Sequence, residues 1–174
     1  FNKSKDLWGS YAYDEKNDAL RVTVKPVAHE MTEWMMFSIP EVTTDKATVA
    51  LDWEKLRVPF TIEVKTVDTA LASARAAMAN LKADDNTTAY RAAAFAFDNN
   101  VALDEAAMWV DKSIAIKPTW LNHRLKANML AAKGDKKGAI EHATASIEVG
   151  KKDEAPQEEL DKMQKLIDDW KKSM

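Results

Sequence analysis

Residues 87–118, TTAYRAAAFAFDNNVALDEAAMWVDKSIAIKP, and residues 120–150, WLNHRLKANMLAAKGDKKGAIEHATASIEVG, carry one pattern of small and large side chains twice. In the first stretch Tyr90, Ala94 and Phe97 precede Ala106, Ser113 and Pro118; in the second His123, Ala127 and Leu130 precede Ala139, Ser146 and Lys151. Ala106 and Ala139, like Ser113 and Ser146, stand 33 residues apart, a period that belongs to arrays of helical hairpins. Two antiparallel helices approach closely only where a small side chain on one faces a small or medium one on the other. Ala94 with Ala106, and Ala127 with Ala139, supply that contact, and Tyr90, Phe97, Trp109, Trp120 and Leu130 fill the space beside it. Arrays of this kind usually make binding surfaces.

Working outward toward the C-terminus, the helical period predicts helices over 68–82, 87–99, 104–116, 119–133, 136–149 and 156–172. Asp84-Asp85-Asn86-Thr87 offers N-cap oxygens, Gly134-Asp135 reads as a stop followed by a cap, and Pro156 suits a first turn. Gly134, Gly138 and Gly150 all fall near a predicted helix boundary or first turn. In the last helix Leu160, Met163, Ile167 and Trp170 form one stripe, with Glu159, Lys162, Lys165 and Asp169 off it. A polar outer face is what a terminal repeat needs, so this helix reads as the cap of the array.

Toward the N-terminus the period changes to two, from Trp8 to about Val67. Leu20, Val22 and Val24 alternate with Arg21, Thr23 and Lys25; Val49, Leu51 and Trp53 alternate with Thr48, Ala50 and Asp52; Val58, Phe60, Ile62 and Val64 do the same. Met35, Phe37 and Ile39 make a further strand. Asp14–Asp18 reads as the turn after a Trp8–Tyr13 strand, and Glu54-Lys55 as the connection between the last two. The expectation is an antiparallel meander of about five strands, with Pro59 marking an edge or a bulge. The fold class is therefore α+β: an antiparallel β domain over 1–67, then a helical-repeat domain over 68–174.

Composition narrows the function. The chain has 174 residues, a net charge of −3 and an apolar fraction of 46%, with no basic face of the kind nucleic acid requires. The absence of cysteine excludes disulfides, thiolate metal sites and thiol catalysis. No apolar run approaches the ~20 residues that cross a bilayer. The opening Phe1-Asn2-Lys3 has neither an initiator Met nor a signal-peptide pattern, so the expectation is a removed leader or a piece of a longer protein.

The residues that carry chemistry elsewhere read as structural. Asp14/Glu15, Asp84/Asp85 and Glu158/Glu159 are neighbours in turns or at helix starts, where turn and cap roles account for them. His29, His123 and His142 lack ligand-like spacing, although His123 and His142 lie on consecutive helices of one hairpin and can approach each other. No phosphate-cradling glycine loop exists, and no nucleophile stands beside a base. No catalytic residue, metal or cofactor is expected. Trp8, Trp34 and Trp53 read first as core or inter-domain packing, with stacking on a sugar as the other use of their faces. Trp34 stands opposite the Met35/Phe37/Ile39 face.

With these residues in hand, residues 87–150 resemble tetratricopeptide repeats. The first hairpin holds the family's packing residues at Tyr90, Ala94, Phe97, Ala106, Ser113 and Pro118; the second departs at His123, Lys126 and Lys151. The resemblance implies a concave face lined by the first helix of each hairpin, with Arg91, Phe95 and Asp98 in one turn and Arg124, Asn128 and Ala131 in the next. Arg124 and Asn128 have the i, i+4 spacing that lets both address one carboxylate. The plainer use of Arg91 and Arg124 is as solvated charges or partners of Asp98.

Trp8-Gly9-Ser10-Tyr11, Tyr13-Asp14-Glu15-Lys16, Leu20–Pro26, Glu33-Trp34, Ala47–Glu54 and Arg57–Phe60 resemble, in that order, the C-terminal half of the domain-of-unknown-function 2911 family, over residues 1–66. That resemblance implies further strands upstream, so that the β domain over 1–67 is expected to be incomplete at its N-terminus, and a bacterial protein exported to the periplasm or cell surface. Together these features lead to the expectation of a non-enzymatic scaffold that binds a protein or peptide on its helical face. The alternatives are a glycan or small-molecule binder using the sheet aromatics, and an enzyme whose catalytic part lies upstream.

Overall fold

The computed structural model describes residues 1–174. They form two compact units, Phe1–Thr66 and Val67–Met174, and the fold class is α+β: one antiparallel sheet, then six helices.

In the first unit the sheet has two strands, β1 (Val27–Val42) and β2 (Lys46–Glu63), paired antiparallel from Val27↔Arg57 to Val42↔Ala47. The five-strand meander is thereby corrected to β1 and a long β2 that folds back on itself. Glu54-Lys55 reverses the chain between the Val49–Trp53 and Val58–Val64 segments, as the sequence suggests: the Val64 N–H donates to the Asp45 carbonyl at 2.8 Å, Lys46 Nζ lies 3.2 Å from the Glu63 carboxylate, and Arg57 bonds Asp52. Glu54 adopts φ 51, the left-handed backbone that tight two-residue reversals use. The reversal between β1 and β2 occurs at Thr43–Asp45, where the Thr43 backbone N–H donates to the Lys46 carbonyl at 2.8 Å and the Lys46 N–H donates to Thr43 Oγ1 at 3.1 Å. Pro59 lies beyond Arg57, the last residue of β2 in register with β1.

Residues 8–25 do not pair as strands either. Asp14 caps a single 3₁₀ turn at Glu15–Asn17 by accepting from the Lys16 N–H. Tyr13 donates to Asp18 at 2.8 Å and Arg21 donates to the same oxygen at 2.7 Å. These side chains, with backbone bonds between residues 1–3 and 17–20 around an isolated Asn2↔Asp18 bridge, close this segment where a ladder within it was expected. Leu20 and Val22 stay exposed despite their alternation. Trp8, Trp34 and Trp53 depart from core packing within this unit: Trp8 and Trp34 are each 83% exposed, and Trp53 is 54% exposed. Within the ribbon Ala50 and Asp52 are the residues fully removed from water.

The second unit begins with α1, Thr66–Ala79, and continues with α2 (Asn86–Asp98), α3 (Leu103–Ile116), α4 (Trp120–Ala132), α5 (Lys136–Lys152) and α6 (Gln157–Lys172). Asp85 caps α2 by accepting from the Thr88 N–H, Asp135 caps α5 by accepting from Gly138, and Gly134 between α4 and α5 turns at φ 85. These are the stop and start signals the sequence carries. α2 packs on α3 and α4 on α5 as two hairpins, with α6 against α5. Ala106, Ala127 and Ala139 are wholly buried where the helices touch, and Ala94 packs beside the first core. One core joins Leu71 of α1 to Ala93, Ala96, Trp109, Val110, Leu125 and Met129. A second joins Ala127 and Ala143 to Met163 and Ile167 of α6.

The 33-residue repeat has a hydrogen-bonding counterpart. Ser113 donates to the Asn86 carbonyl at 2.8 Å, and Ser146 donates to the Trp120 carbonyl at 2.7 Å. In each hairpin a buried hydroxyl of the second helix satisfies a backbone carbonyl in the first turn of the first helix. That bond sets their relative height.

Candidate functional site on the helical unit

The side chains most available to a partner gather on α1, α2 and the start of α4. A groove of about 500 Å³ runs between α1 and α2, lined by Ala70, Ala74, Ala77, Ala92 and the Phe95 ring, with Thr88 and Arg91 at its polar margin. Alanine-rich helix faces leave this channel because their methyl groups fill little of the space between the two rods. A second depression of about 290 Å³ lies between the first turn of α2, at Asn86, Tyr90 and Arg91, and the start of α4, at Thr119, Trp120 and Leu121, with Asp153 beside it. Arg91 lines both. Its guanidinium is exposed and takes part in none of the ion pairs of the molecule.

The other residues singled out from sequence are spread more widely. Phe95 is half-buried in the α1–α2 groove, and Asp98 is exposed at the C-terminal end of α2, without an ion pair to Arg91. Asn128 is half-buried on α4. Arg124, on the same helix, is engaged by the molecule itself. Its guanidinium donates to Glu159 of α6 and lies 4.8 Å from the Trp120 ring centroid. Lys162 first, and Arg124 after it, hold the Glu159 carboxyl below the usual carboxylate range. A carboxylate thus already occupies the position in which a ligand carboxylate was expected. Trp34 stands on the ribbon unit and belongs to none of these grooves.

One residue the sequence reading passed over organises the site. Asn122 is fully buried at the start of α4. Its side-chain oxygen accepts from the Thr119 N–H at 2.8 Å, while its NH₂ donates to Ser113 Oγ at 3.0 Å and to the Lys117 carbonyl at 2.9 Å. The Thr119 hydroxyl in turn accepts from the Asn122 N–H, completing a capping box. Asn122 therefore locks the first hairpin to the second and fixes where Thr119–Leu121 stand beside Arg91. The available signal was Thr119 three residues before Asn122, a cap pattern with Asn in place of the usual Glu or Gln.

Chemically, the arrangement suits recognition. The α1–α2 groove pairs an apolar floor with a single unneutralised cation at its end, and no cluster of three His, Cys, Asp or Glu side chains that could hold a metal is present. No helix is long and apolar enough to cross a membrane. Neither a curated protein nor a solved structure matches the chain. Residues 1–62, which hold the ribbon unit through most of β2, match the family described as "Protein of unknown function (DUF2911)".

Proposed function

We propose that the helical unit is a non-enzymatic binding scaffold of tetratricopeptide type, which takes a protein or peptide segment on the face built by α1 and α2. The observation that carries this reading is Arg91, an unpaired guanidinium shared by two depressions, one of them floored by alanines and Phe95. A segment with a small apolar side chain fills the groove, and a carboxylate, terminal or side-chain, meets Arg91 as a charge-assisted hydrogen bond. Arg124 contributes less than the i, i+4 spacing suggested, because Glu159 must first give up its place. An exported bacterial protein as the setting of this scaffold is part of the same proposal and rests on what the 2911-family resemblance implies. The test is selection of peptides against the protein from a displayed library, followed by Arg91→Ala and Phe95→Ala. Selected peptides lose at least about tenfold in affinity to each variant, while the melting temperature of Arg91→Ala stays within a degree or two. Affinity unchanged in both variants removes the reading.

A second use is supported by Trp34, whose indole is almost wholly in solvent on a ribbon that also exposes Phe37 and Trp53. Stacking on a sugar ring is the chemistry such a face offers. Thermal shifts across a glycan library that vanish in Trp34→Ala establish it, and a library without a single shift sinks it.

A further inference from the structure

α4 and α5 bring His123 and His142 together. Their Nδ1 atoms are 3.1 Å apart, with ring centroids at 5.3 Å and planes tilted by 32°. Two imidazole nitrogens at about 2.0–2.1 Å from one tetrahedral ion stand about 3.3–3.4 Å from each other. The observed separation falls a few tenths of an ångström short of that bite, a difference that a small rotation of either ring closes. We propose that His123 and His142 form a two-nitrogen chelate for a divalent transition ion of the Cu²⁺, Ni²⁺ or Zn²⁺ class, clamping α4 to α5. Imidazole suits these ions, whereas Mg²⁺ and Ca²⁺ select oxygen ligands.

The surroundings agree. Both rings are half-buried. Burial first, and then His142, holds His123 below the ordinary imidazole range; burial first, and then Lys126, does the same for His142. Binding through both Nδ1 atoms uses the neutral tautomers that carry their proton on Nε2. Asp111 of α3 and Glu141 of α5 bias the site toward a cation, and Lys126 of α4 opposes them. The Lys126 charge is itself bonded to Asp111 at 2.8 Å. No third protein ligand completes a cluster, so the remaining coordination positions fall to water or to a donor from a second molecule. Without an ion, the same two nitrogens share a single N–H···N hydrogen bond, which is the competing use of this geometry.

The experiment titrates the untagged protein, stripped of metal, with CuCl₂, NiCl₂, ZnCl₂ and MgCl₂, followed by calorimetry and thermal melting. The expected result is uptake of one ion per chain, tightest for Cu²⁺. The melting temperature rises by about 5 °C or more at saturation, and MgCl₂ has no effect. H123Q and H142Q each weaken uptake by at least about tenfold, and H29Q leaves it unchanged. Should either site variant fail to fold, ring resonances of the wild type decide the matter. Zn²⁺ must shift those of His123 and His142 and spare His29, and the absence of such shifts overturns the proposal. So does uptake that survives loss of both residues, because the chain has three histidines and no cysteine to bind in their place.

Discussion

Asp52 shows how one side chain holds the ribbon unit in shape. It is buried on β2 and accepts from Arg57 Nε at 2.6 Å, Arg57 Nη2 at 2.8 Å and the Ser38 hydroxyl at 2.8 Å. Arg57 follows the reversal at Glu54-Lys55, and Ser38 is on β1. The reversal brings the guanidinium back over the carboxylate, so the turn and the ion pair reinforce each other. The Arg57 fork, with help from Ser38, draws the Asp52 carboxyl down to about 2. A carboxyl whose folded value lies below its unfolded one stabilises the fold above the unfolded value, near 3.9, and loses that contribution as pH falls through the folded one. Asp52→Asn keeps the shape and removes the charge. The expected outcome is a ribbon less stable than wild type above about pH 4, with the two converging as pH approaches 2. Amide exchange of β1 and β2 across that range measures it, and a difference that is constant with pH refutes the assignment.

At the scale of elements, the helices were legible and the strands only partly so, for reasons that individual residues make plain. Asp85, Asp135 and Gly134 act locally, through their own turn of backbone, so sequence alone places α2 and the α4–α5 junction within about a residue. Glu54-Lys55 is legible for the same reason, whereas the alternation of Leu20, Val22 and Val24 misleads, because a period of two makes a strand only where a partner pairs with it. The pairing of Arg124 with Glu159 across 35 residues, and of Asn122 with Ser113, depends on tertiary placement that no local pattern reports. Gly150 is the sharpest case. It reads as a helix boundary, yet α5 continues to Lys152 and Gly150 is buried inside it. A Cβ there would stand 2.6 Å from Leu160 Cδ2, 3.3 Å from Ala155 Cβ and 3.4 Å from Trp120 Cβ. The glycine is needed for the close approach of α5 to α6 and α4. Gly150→Val should therefore cost about 1–3 kcal/mol through overpacking, read as a lower urea midpoint with faster amide exchange in α6. Gly150→Ala should cost less, since alanine's helix propensity offsets part of the clash by up to about 1 kcal/mol. A valine variant as stable as wild type would show that the contact yields freely.

The two units differ in how much of their own surface they cover, and that difference governs the molecule as a whole. Residues 67–174 enclose two clusters of buried side chains, tied by Asn122, Ser113 and Ser146 and closed by Leu160, Met163 and Ile167 of α6. Residues 1–66 bury Ala50 and Asp52, while Met31, Trp34, Met35, Phe37, Ile39 and Val42 of β1 remain exposed. A small antiparallel sheet without a covered apolar face is at best marginally stable in water. Its hydrophobic side chains contribute little until something removes them from solvent. Expressed separately, residues 67–174 should unfold in one cooperative transition, with helical circular dichroism like that of the same residues in the full chain. Residues 1–66 alone should show broad, non-cooperative melting and little amide protection beyond the Asp52–Arg57 region. Hydrogen exchange on the two pieces decides this. A ribbon that is protected along its whole length in isolation would mean that the hairpin is held by pairing and turn chemistry alone, and that its exposed aromatic face is not what limits its stability.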